Sequence, residues 1–181
     1  MKLSTQDLET FYKLNFILLQ YANEYLGMFP KIKTPEKFRK SGLESINKVR
    51  MELRSHPEII DKFLIENKNK LPEEELFIIE SWKRCVVGKF YVIKHFKKYS
   101  IFLTESDPTK AYGVLSLTDE LSDMLPYVPI LLQATLLPFR DHIIYDGLFH
   151  VYPVHFGAGF RRSLEDDYRE TKKDQGITEF L

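Results

Sequence analysis

The sequence predicts an α+β protein, with N-terminal helices packed on a bent antiparallel sheet or small β-barrel and closed by a C-terminal helix. Three observations carry this. Apolar residues recur at helical spacing through the first 84 residues. Near Val86 the apolar period falls from 3.6 to 2. Helical spacing returns after Gly157 and Gly159. Residues 1–84 are therefore expected to be a helical region and residues 85–181 an antiparallel β region with its own terminal helix, the two making one compact unit.

Taken in order, Ser4 can cap a helix whose apolar face carries Leu8, Phe11, Tyr12, Leu18, Tyr21, Ala22 and Tyr25. Gly27 and Pro30 end it. Thr34-Pro35 is a start signal, because proline at the first helical position forfeits no hydrogen bond. Phe38, Ile46, Val49 and Leu53 then line one helix up to His56-Pro57. A shorter helix holds Ile59, Ile60, Phe63 and Leu64. Pro72 opens a fourth, with Glu73, Glu74 and Glu75 at the positive end of its dipole and Leu76, Ile79 and Trp82 as its apolar positions.

In the second half, KFYVIKHF and YSIFLTE read as two strands joined at Lys97-Lys98, and AYGVLSL follows a turn at Asp107-Pro108. Thr118 is placed to cap a short helix. ILLQATLL is apolar on both faces, as an interior strand is. Asp146-Gly147 is the strongest hairpin signal, because a two-residue turn needs positive φ at both central positions. FRRSLEDDYRETKKDQG closes the chain as a helix with a thin apolar edge of Phe160, Leu164 and Tyr168.

Composition narrows the function classes. Apolar residues make up 44% and charged residues 29%, a globular balance. Cys85 is the single cysteine, which rules out an internal disulfide and a thiolate-clustered zinc site. The N-terminal stretch lacks the apolar core of a signal peptide, and no apolar run is long enough to span a bilayer. A cytoplasmic protein without a membrane partner is expected. Net charge is zero, but six cations and no acid lie between Lys83 and Thr104, and seven acids against two cations between Glu105 and Asp146.

The segment LPFRDHIIYDGLFHVYPVHFGAGFRRSLEDDY concentrates the candidate chemistry. A turn at Asp146-Gly147 would set Ile143 opposite His150 and His142 opposite Val151. His142 and His150 would then project from opposite faces and could not share a metal ion. No metal site and no cofactor is predicted. Asp141 and His150 would fall diagonally on one face, as a general base and its orienting carboxylate would, with His155 beyond Pro153 as a third candidate. No Gly-x-Ser-x-Gly elbow supplies a nucleophile, and Cys85 has no catalytic flank. A hydrolase built on Asp141, His150 and His155 is thus the rival to a non-catalytic role.

Two further features point to anions. In FGAGFRR, Gly157 and Gly159 precede a helix that carries Arg161 and Arg162 in its first turn. In KFYVIKHFKKY, aromatics alternate with cations, as on sheets that stack bases and hold phosphates; the plainer reading is a solvated edge strand protected by lysines. The expected function is a binding or adaptor role in which Lys94, Lys97 and Lys98 combine with Arg140, Arg161 and Arg162 to engage an anionic partner such as nucleic acid. A third class is a structural subunit that self-associates through uncovered helix faces.

The motifs LPFRDHIIYDGL and FGAGFRR, followed by Tyr168, resemble a segment of an uncharacterised family of bacterial proteins, some with a separate cysteine-rich zinc-binding tail. The likeness covers about 35 residues near the C-terminus. It implies a bacterial cytosolic setting and brings no assigned activity or catalytic residue. One cysteine cannot build the zinc tail.

Overall fold

The computed structural model describes residues 2–181, which divide into two compact units. One is Thr5–Lys83, and the other is Arg84–Leu181 together with the residues before Thr5. The chain is α+β.

The first unit is helical: α1 (Thr5–Leu26), α2 (Pro35–Arg39), α3 (Leu43–Ser55), α4 (Glu58–Asn67) and α5 (Glu73–Ser81). α1 is the central element and touches the other four. On it Phe11, Leu14, Leu18, Leu19 and Ala22 are buried, as are Phe38, Val49, Leu53, Ile60, Phe63 and Ile79 of the helices it touches. Each such side chain contributes roughly 1.5–3 kcal/mol by leaving water. Trp82 closes this core, its ring edge-on to Phe11 at 6.0 Å. Asn23 accepts from the Phe29 backbone N–H at 2.9 Å, and Gln20 Nε2 donates to the Ile32 carbonyl at 2.9 Å, which holds the loop after α1. Thr34 caps α2 by accepting from the Lys37 backbone N–H. The single helix expected between Pro35 and His56 is in fact two. Gly42 takes φ +92, a conformation no helix contains, and α3 restarts after it.

The second unit is a five-stranded closed barrel in the order β1-β2-β3-β5-β4. Its elements are β1 (Val86–His95), β2 (Ser100–Thr104), β3 (Ala111–Leu115), α6 (Leu121–Met124), β4 (Ile130–Phe139), β5 (His142–Val151) and α7 (Ala158–Asp174). Four pairings are antiparallel, and β3–β5 is parallel through Val114–Ile143 and Leu115–Ile144. The sheet is therefore mixed rather than wholly antiparallel. Phe90, Val92, Phe102, Leu132 and Leu136 are fully buried, and the Phe90 ring packs on Phe102 and Tyr112. β1 has hydrogen-bonded neighbours on both sides, so it is not the edge strand that its lysines suggested. The N-cap of α6 is Glu120, without a side-chain cap, rather than Thr118, and the Leu121 N–H donates to the Ser116 hydroxyl at 2.8 Å.

The hairpin is the main correction. β4 and β5 turn at Arg140-Asp141, where Arg140 takes φ +51 and Phe139 pairs with His142. Asp146-Gly147 lies within β5, in an irregularity where Tyr145 pairs with Leu136 and Phe149 with Ala134. Gly147 does take positive φ, +93, but to bulge the strand rather than reverse it. A reversal there would have taken Ile143 and Ile144, both fully buried, away from β3.

α7 lies on the outside of the barrel. Leu164 and Tyr168 pack on Ile93, Ile101, Leu103 and Ala111, with Tyr91, Tyr99 and Ile177 around them. β5 pairs only with Val114 and Leu115 of β3, and the chain after α7 takes up the remaining length. The Thr178 N–H donates to the Ala111 carbonyl at 2.8 Å, and the Gly113 N–H donates to the Thr178 carbonyl at 2.9 Å.

Candidate binding surface on the barrel

The corrected register places the candidate residues anew. His142 and His150 have Cα partners Phe139 and Gln133, six residues apart on β4 and of like parity. They share a side of that ladder instead of opposing faces, but are separated by about 20 Å at the usual rise per residue. Asp141 sits in the β4–β5 turn and His150 near the other end of β5. The diagonal Asp141–His150 pair does not form. His155 is in the segment between β5 and α7. Among the described residues, no three His, Cys, Asp or Glu side chains are grouped to hold a metal ion.

Nor do the six predicted cations form one surface. Lys97 and Lys98 lie beyond the end of the β2–β3 ladder at which Ser100 pairs with Val114. Ile143 also pairs with Val114, and Arg140 precedes it by three residues, so Arg140 lies back along β3 toward Ala111, its guanidinium over the Phe139 ring. Lys94 is taken by Glu165 of α7 at 2.6 Å. Lys98 is taken by Glu179, whose hydrogen bond raises the ammonium's pKa. Arg161 Nε donates to the Phe156 carbonyl at 3.0 Å. Gly157 caps α7 without a side chain, and a Cβ at Gly157 or Gly159 would meet nothing within 4 Å. The turn does not need small residues there. Beside the barrel mouth, His95 is a structural imidazole, bonded to the Ser100 hydroxyl and the Leu125 carbonyl.

What the register does assemble is a strip across β1, β4 and β5. Gln133 is the Cα partner of both Lys89 and His150, so three polar side chains stand in one row. Tyr152 leans over that row. Its hydroxyl donates to Gln133 Oε1 at 3.0 Å, its ring is edge-on to His150 at 5.0 Å, and Lys89 Nζ lies 5.1 Å from the ring centroid. Tyr152 is held by its N–H, which donates to the Leu131 carbonyl; the Cα partner of Leu131 is Tyr91. Tyr91 continues the strip into Phe156 and Phe160, which contact its ring at 5.7 and 5.6 Å and stack on each other at 5.1 Å. Burial raises the Tyr91 phenol, and its hydrogen bond to Glu105 raises it further. The strip thus sets the rings of Tyr152, Tyr91, Phe156 and Phe160 beside one cation, Lys89.

Sequence reading missed Lys89, Gln133 and Tyr152 as a group. The signal for Lys89 and Tyr91 was present in the alternation of KFYVIKHF. Gln133 and Tyr152 join them only through the β4 register. Compared with known proteins, the chain matches no family model, no curated protein and no solved structure. The class the coordinates define is a closed five-stranded barrel carrying an external C-terminal helix. No helix among the described residues is long and apolar enough to cross a membrane.

Proposed function

We propose that the barrel is a non-catalytic binding module for an anionic chain, single-stranded nucleic acid foremost, and that the Lys89–Gln133–His150 row with Tyr152 is its contact surface. The observation that carries this reading is Tyr152, a half-buried ring fixed by hydrogen bonds and flanked by a cation. Single-strand binders combine aromatic platforms with cations in this way, because every base has a face to stack and every phosphate a charge to neutralise. Five-stranded barrels are one frame on which oligonucleotides are bound, there through the face of the second and third strands, and frame alone never fixes function or its surface. A cytoplasmic setting accompanies the proposal, in keeping with a lone reduced thiol at Cys85.

The test is fluorescence anisotropy of the full chain with labelled dT20 and rU20 across a salt series. Binding with a Kd of roughly 10⁻⁴–10⁻⁶ M near physiological salt is expected, weakening as salt rises. Tyr152→Ala should cost about 1–3 kcal/mol. No binding at low salt, or binding indifferent to Tyr152→Ala and Lys89→Ala, overturns the reading.

A second reading, self-association, has its own support in the helical unit. Between α4 and α5 lies a groove of about 350 Å³ lined by Leu64, Ile65, Leu76 and Phe77, with Lys68 on one wall and Glu73 and Glu80 on the other. Ile65 is 76% and Phe77 65% exposed. A two-fold copy would bring basic wall to acidic wall. Sedimentation velocity of the parent and Phe77→Glu chains decides it: a dimer abolished by the substitution supports it, and a monomeric parent removes it.

A further inference from the structure

The two lysines removed from the predicted surface are removed by carboxylates of one segment. Glu165, in α7, meets Lys94 at 2.6 Å, and Glu179, just after the Thr178 bridge, meets Lys98. Between them the segment covers a face of β1, β2 and β3 that resembles a ligand surface in composition. Tyr91, Ile93, Tyr99 and Ile101 are there, with the Lys98 ammonium over the Tyr99 ring. We propose that the segment from Ala158 to Glu179 is a displaceable strap, holding the place of an anionic chain with its two carboxylates where phosphates would sit.

Leu164 and Tyr168 dock the segment in a buried apolar cluster with Ile93, Ile101, Leu103 and Ala111, but the rest of the attachment is thin. Of the 17 residues of α7, three are buried: Leu164, Tyr168 and Thr171. The Tyr168 hydroxyl is buried with no hydrogen-bond partner, a penalty that undocking relieves. The ion pairs are part-exposed, where such pairs hold weakly. Beyond α7 the segment is held by one backbone bridge, Tyr112–Thr178, on a length of β3 that β5 leaves unpaired, by Gln175 Nε2, which donates to the Thr109 carbonyl at 3.3 Å, and by the Glu179–Lys98 pair. Opening would return that length to the free edge from which a groove starts, with Lys94 and Lys98 unpaired beside it.

This inference rests on the barrel being an anion-chain binder, and the experiment separates the two. Glu165→Gln with Glu179→Gln frees both lysines and leaves Leu164 and Tyr168 in place. Against labelled dT20, this chain should bind several-fold more tightly than the parent. Its log Kd should depend on log salt more steeply by about 1.4, near 0.7 for each lysine recovered. Adding Lys94→Ala and Lys98→Ala should return the parent slope. If the parent binds but the double-Gln chain has the same slope, the strap is wrong and the binding surface stands. A ligand-free readout covers the case in which nothing binds. The Gly113 and Thr178 amides should exchange hydrogen faster than those of the β1–β4 ladder, and still faster in the double-Gln chain. Equal protection overturns the strap whatever the fate of the binding reading.

Discussion

The rings of Tyr145 and Phe149 stand 5.5 Å apart although Asp146, Gly147 and Leu148 lie between them along β5. On a straight strand that separation would be about 13 Å. The shortening comes from the bulge at Asp146-Gly147, opposite Thr135, where four residues of β5 span the length of two on β4. The bulge lets β5 serve β3 and β4 at its start and carry His150 to the strip at its end.

Gly147 makes that bulge with φ +93, and the test is a comparison of glycines. Gly147→Ala should cost roughly 1–2 kcal/mol, the usual penalty for a Cβ in left-handed backbone. Gly159→Ala, in the first turn of α7 and open to solvent, should be neutral or stabilise by about 0.5 kcal/mol. Urea unfolding of the two variants checks it. Equal midpoints would mean that β5 does not bulge at this residue.

Tyr168 offers a substitution with an unusual sign. Its ring is 4% exposed and lies beneath the Lys94 ammonium, but its hydroxyl meets no partner. Tyr168→Phe keeps the ring and removes the unmet group, so the strap should hold more firmly, by about 1 kcal/mol. Leu164→Ala should weaken it by roughly 2–5 kcal/mol. Hydrogen exchange at Thr178 reads both; a looser strap in Tyr168→Phe would contradict the burial of that oxygen.

High pH supplies a further test. Burial raises the phenols of Tyr91, Tyr99, Tyr112 and Tyr168, and burial with a hydrogen bond to Glu66 pushes Tyr21 up to about 12. For a group whose folded pKa lies above its unfolded value, the stabilising contribution is whole below the unfolded value, near 10. It is lost as pH climbs through the folded one, because the unfolded chain releases protons that the folded chain retains. Stability should therefore be flat below pH 9 with respect to these groups and fall above 10. In an absorbance titration at 295 nm, a fraction of the ten tyrosines should ionise late, together with loss of the circular dichroism signal. All ten ionising near 10 with the fold intact would sink it.

Much of the fold was legible in the chain. The helical spacing of α1, the Thr34-Pro35 start and the change of period at Val86 are local, since each depends on residues within a turn or two of one another. Gly42 was legible in principle, but a lone glycine in an apolar-periodic run is often tolerated within a helix. The strip was half legible. Lys89 and Tyr91 alternate within one strand, whereas Gln133, His150 and Tyr152 reach them only through the β4 and β5 ladders, from far along the sequence.

By itself the sequence determined the class, the passage from helices to strands near Val86, and that Gly147 would take a positive φ. Tertiary structure alone decided what that φ is for. Asp-Gly meets the needs of a tight reversal and of a bulge equally well, so local chemistry cannot choose between them. The choice falls to burial: Ile143 and Ile144 leave water only if β5 runs on past Gly147 and closes the barrel against β3. The pairing of Lys94 with Glu165 and of Lys98 with Glu179 follows from the same closure, since partners 71 and 81 residues apart meet only after the barrel exists to receive α7.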